Sequence, residues 1–101
     1  MTQANANNTT ARPGIVAGQI MFYQRDPGAH GPLEIREVQR SGKVVAFSRY
    51  KEMELEYMPR DLCTAEAIAA QVEYLTSAPA DTLFREQKIS ARLGCLVAAS
   101  R

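Results

Sequence analysis

The chain has 101 residues, 46% of them hydrophobic and 23% charged, with a formal net charge of +1. That is enough for one domain with a real core and too little for two. The near-neutral balance argues against strong nonspecific attraction to nucleic acid or acidic membranes, although nine arginines against three lysines leave room for local basic patches.

No apolar run approaches a membrane span. The N-terminus lacks the basic-then-apolar pattern of a secretory signal, so a cytoplasmic location is expected. Cys63 and Cys95 are too few for a disulfide framework. They have no CxxC spacing, and His30 is the lone histidine, so neither a metal site nor a cofactor is expected and both thiols read as small buried hydrophobes.

Residues 1–13 are mostly polar and without periodicity, and are expected to form a disordered tail ahead of a single domain over 14–101. Pro13-Gly14 marks its start. Residues 15–24 read as the first strand, with Gly18 weakening it or marking a bulge. The run from Ile20 to Tyr23 is continuously apolar, which suits a strand covered on both faces or one at a subunit contact. Residues 25–32 carry Asp26-Pro27-Gly28 and Gly31-Pro32 and read as a loop. His30 lies within it and is expected to face solvent; its functional reading is a pH-sensitive contact or a ligand.

Residues 33–40 and 43–58 read as two strands of a hairpin turning at Ser41-Gly42, where Gly42 can take the positive φ of a tight turn. A two-residue loop would pair Arg40 with Lys43, Val38 with Val45, Arg36 with Phe47, Glu34 with Arg49 and Leu33 with Tyr50. Leu33, Ile35, Val44, Ala46 and Tyr50 would then share one face. From Met53 to Tyr57 apolar residues alternate with Glu52, Glu54 and Glu56, the pattern of a half-buried strand. Residues 44–58 are read as one strand bent near Lys51, or two strands broken there.

Pro59 ends the strand. Asp61 or Thr64 caps a helix over about 62–77, whose Leu62, Ala65, Ile68, Ala69, Val72 and Leu75 fall on one arc. Ala78-Pro79-Ala80 breaks it, and a second helix covers about 82–98, with Asp81 as its cap. Continuation of that helix through Gly94 is preferred to a terminal strand at residues 95–98. Strands followed by helices give an α+β fold: an antiparallel three- to four-stranded sheet with two helices on one face.

The candidate surfaces are Arg36, Arg40 and Lys43 near the hairpin tip, the strand residues Phe47, Arg49 and Tyr50, the carboxylates Glu52, Glu54 and Glu56, and the helical stripe Arg85, Lys88, Arg92. Carboxylates two apart on a strand stand ~6.5–7 Å from one another, too far to share one metal comfortably. A solvated, edge-protecting face is their ordinary reading; an acidic patch for a basic partner is the other. A basic ribbon can lie along phosphates, yet the neighbouring glutamates dilute it and no aromatic platform is interleaved. Cys63 at a helix start, with His30 as base and Asp26 to orient it, would be the only nucleophilic arrangement available. The P-loop, G-x-S-x-G and GxGxxG patterns are all missing from the chain.

These features point to a small non-enzymatic protein-binding module, an inhibitor, adaptor or subunit whose partner is another protein or a second copy of itself. A DNA- or RNA-binding accessory protein using the hairpin tip is the alternative. A phage- or plasmid-encoded inhibitor of host machinery is a further form of the first class.

Overall fold

The computed structural model describes residues 14–77 and 84–101. The expected N-terminal tail, the Ala78-Pro79-Ala80 break and the Asp81 cap lie outside them. In chain order the elements are β1 (Ile20–Tyr23), a single-turn α1 (Pro27–His30), β2 (Pro32–Val38), β3 (Val44–Ser48), β4 (Met53–Tyr57), a 3₁₀ turn (Pro59–Asp61), β5 (Leu62–Cys63), α2 (Ala65–Ser77) and α3 (Arg85–Ala99). The fold is α+β, with a five-stranded antiparallel sheet in the order β4-β3-β2-β1-β5.

The sheet is rolled, and the connection from β4 to β5 shows why. These strands occupy opposite edges, yet only four residues join them, three in the 3₁₀ turn. A flat sheet of five strands is ~19 Å wide at ~4.8 Å per strand. A link rising ~2 Å per residue in its 3₁₀ part reaches well short of that. The edges therefore approach each other, and the Tyr57 ring of β4 comes within 5.7 Å of the Tyr23 ring of β1.

Each side of β1 has its own core. Inside the roll, Met21, Leu33, Ile35, Val44, Ala46, Tyr57 and Leu62 form one buried cluster. Outside, Phe22, Cys63, Ile68 and Cys95 form a second beneath the helices. The apolar run Ile20–Tyr23 is thus covered on both faces, as its lack of alternation predicts. Each fully buried large side chain contributes about 1.5–3 kcal/mol.

Several expected boundaries move. The first strand starts only at Ile20, after a turn at residues 17–18; the preceding chain still holds β2 through Gly18 N–H to Ile35 O at 2.8 Å and Ile35 N–H to Gln19 O at 2.9 Å. The span 43–58 is two strands, β3 and β4, which fold back on each other through residues 49–52. Residues 25–32 hold the α1 turn rather than loop alone. The first long helix begins at Ala65, not 62, because Leu62 and Cys63 pair with Tyr23 and Phe22 as β5. Thr64 is its cap: its Oγ1 accepts from Ala67 N–H at 3.2 Å. Of the expected arc, Leu62 is buried as part of β5 and Ile68 as part of the helix, with Val72 and Leu75 half-buried and Ala65 and Ala69 exposed. The last helix continues through Gly94 to Ala99.

The hairpin is real but its register is different. Gly42 N–H bonds to Gln39 O at 2.9 Å, and Gln39 N–H to Lys43 O at 2.8 Å. With Gly42 at φ 99°, this is a longer loop with a glycine bulge. That loop sets Val38 opposite Val44, and a second irregularity between Ile35 and Glu37 shifts the pairing once more, so Glu34 faces Phe47 and Leu33 faces Ser48. Beyond that bulge the total slip is two residues. A slip of two preserves parity, so Leu33, Ile35, Val44 and Ala46 share the buried face as expected. Tyr50 leaves the strand for the following turn.

Candidate functional site

The basic hairpin cluster is largely neutralised by its own glutamates. On the outer face of β2–β4, Lys43 Nζ lies 3.9 Å from Glu56, and Arg36 bridges Glu34 at 3.6 Å and Glu54 at 3.8 Å. The Arg36 guanidinium also sits 5.2 Å over the Phe47 ring. Among the described residues Arg40 has no ion pair. Arg49 donates to Glu34 at 2.8 Å, the expected pair, but reaches it diagonally. Its other arm donates to Ala98 O at 2.7 Å, tying the end of α3 to the sheet. Glu54 and Glu56 are therefore partners of these cations, while Glu52 stands apart in the turn at φ 56°.

The arginine-rich stripe of α3 faces α2. Arg85 donates to Thr76 O at 2.6 Å, and Arg92 Nε to Gln71 Oε1 at 2.7 Å. Between the helices an open groove of about 420 Å³ is lined by Gln24, Gln71, Tyr74, Leu75, Lys88 and Arg92. Tyr74 is 72% exposed. Sequence reasoning found Lys88 and Arg92 but missed Tyr74; its signal was an aromatic set off the apolar arc of its helix.

His30 is only partly exposed rather than free in solvent. It ends α1, half-buried, where its Nδ1 and the Tyr57 hydroxyl share a hydrogen bond of 2.7 Å. Its ring centroid lies 4.5 Å from that of Tyr23 and 5.6 Å from that of Tyr57. Burial, reinforced by the positive charge of Lys51, lowers the His30 pKa, against an opposing pull from Asp26. Burial and then Tyr23 push the Tyr57 hydroxyl up to about 12. These rings line a second pocket of about 280 Å³, with Leu55, Glu56 and Asp61 also on its wall. Nothing local in the sequence links Tyr23, His30 and Tyr57; the rolling of the sheet brings them together.

Cys63 does not meet His30. It sits on β5, facing the helices, whereas the imidazole packs on Tyr23 at the inner face. Being in a strand, it lacks the helix start expected to activate it. Cys95 instead donates to Pro27 O at 3.1 Å, and burial raises its pKa, partly offset by the neighbouring Tyr50 side chain. Tyr50 in turn lies over Gly31, where an added Cβ would come within 2.5 Å of the ring.

Among the described residues, no group of three His, Cys, Asp or Glu side chains could hold a metal ion, and no helix is long and apolar enough to cross a membrane. No protein-family model, curated protein or solved structure matches the chain.

Proposed function

We propose that the protein acts as a non-enzymatic docking module for another protein, with the groove between α2 and α3 as its seat. One observation carries this reading: a largely exposed Tyr74 stands beside Lys88 and Arg92 in an open groove. Tyrosine and arginine are the residues that most often anchor interfaces, because they bury large area at small entropic cost. The two cations select an acidic segment, and Leu75 offers it an apolar contact. The hairpin tip competes poorly for anions, since Arg36 and Lys43 each have glutamate partners.

Affinity capture from the source organism with wild-type, Tyr74→Ser, Lys88→Glu and Arg40→Ala baits tests the proposal. A protein retained by wild-type and Arg40→Ala but lost from Tyr74→Ser and Lys88→Glu is the expected result. Capture lost only with Arg40→Ala, or an eluate holding nucleic acid alone, replaces the groove with the hairpin tip.

A further inference from the structure

The pocket at the seam of the rolled sheet has a chemistry distinct from the helical groove and lies against different residues. Its wall holds three aromatic rings in mutual contact, with centroid separations of 4.5, 5.6 and 5.7 Å. Two carboxylates, Glu56 and Asp61, complete it. Among the described residues the ion pairs of both carboxylates are long: Glu56 with Lys43 at 3.9 Å, and the partly exposed Asp61 with Arg25 at 3.5 Å. Pairs of this length contribute little to stability.

We propose that this pocket binds a methylated ammonium group. The π faces of tyrosine attract a cation, and the attraction grows where water is excluded. A trimethylammonium head is weakly hydrated, so entering an aromatic pocket costs it less than it costs a primary amine. Leu55 supplies apolar contact for its methyl groups, and the Glu56 and Asp61 carboxylates place negative charge at the wall. The imidazole is part of the fit, because burial and Lys51 hold it neutral and it adds a third ring without adding charge. Tyr57 is buried and fixed by its hydrogen bond to His30, so this wall is rigid before any ligand arrives. The same head occurs on a trimethylated lysine of a partner protein and on free choline; the chemistry is shared.

The test is an NMR titration of the full chain with choline, with a trimethyllysine peptide, with its unmethylated counterpart, and with the carbon isostere of choline in which tert-butyl replaces trimethylammonium. Saturable shifts at Tyr23 and Tyr57 are expected, with the trimethylated ligands about tenfold tighter than the unmethylated peptide and the neutral isostere. A peptide tighter than choline identifies a protein source, and the reverse a free small molecule. Tyr23→Leu should weaken binding about tenfold. Asp61→Asn, at a partly exposed position that leaves the core intact, should weaken it severalfold. Equal affinity for choline and its isostere, unchanged binding in Asp61→Asn, or no saturable shift with any ammonium overturns the proposal.

Discussion

The Nδ1 of His30 stands 2.7 Å from the Tyr57 hydroxyl oxygen, joining α1 to an edge strand 27 residues away. Both groups are held in their uncharged forms, and each limits the pH range of the fold from one side. Folding lowers His30 below its ordinary 6.5, so the unfolded chain takes the proton first as pH falls. That stability is complete above 6.5 and is lost as pH drops through the native value. Tyr57 is the mirror case: its contribution is complete below 10 and is lost as pH climbs from 10 to about 12. Denaturation midpoints against pH should show both limbs. His30→Gln should flatten the acid limb and leave the alkaline one; identical acid limbs in the two proteins would refute the assignment.

Arg49 joins Glu34 to the last turn of α3 with its two arms. Lysine offers one point charge and cannot keep both bonds. Arg49→Lys should destabilise the protein by about 1–2 kcal/mol in urea unfolding. Hydrogen exchange at the C-terminal end of α3 should speed up more than exchange in β1. Uniform acceleration would mean that the arginine supports the sheet alone.

Gly31 combines a positive φ of 70° with close cover by the Tyr50 ring. Gly31→Ala should cost about 3 kcal/mol, part backbone strain and part collision. In a Tyr50→Ala background only the backbone part, about 1–2 kcal/mol, should remain. Additive effects of the two substitutions would place the whole cost in the backbone.

Glu52 is the one described non-glycine residue at positive φ. Glu52→Gly should therefore stabilise the fold, by up to about 1 kcal/mol once the greater freedom of the unfolded chain is subtracted. A lower thermal midpoint in this variant would show that the carboxylate itself matters to the turn.

That same turn explains how far the sequence could be read. Alternation marked Met53–Tyr57 correctly, but residues 49–52 carry no glycine, proline or asparagine to announce a reversal. The turn is held by Ser48, whose Oγ accepts from Lys51 N–H at 3.2 Å and whose carbonyl accepts from Glu52 N–H at 2.7 Å. It is also held by Tyr50 over Gly31, which no local pattern encodes. The Ser41-Gly42 signal located a hairpin and left its loop length open, since glycine serves several loops. β5 escaped notice because two residues carry no period. The groove was half visible, as a cationic stripe on α3. The aromatic pocket was invisible, because its rings come from three elements that meet only when the sheet rolls.

The two thiols, Cys63 and Cys95, are reduced and sealed in one cluster beneath the helices, 2% and 0% exposed. A maleimide added to the native protein reaches neither until α2 and α3 lift from β1. Labelling then clocks that opening directly, and two adducts arriving together on each molecule would reveal that the helical layer detaches as a unit.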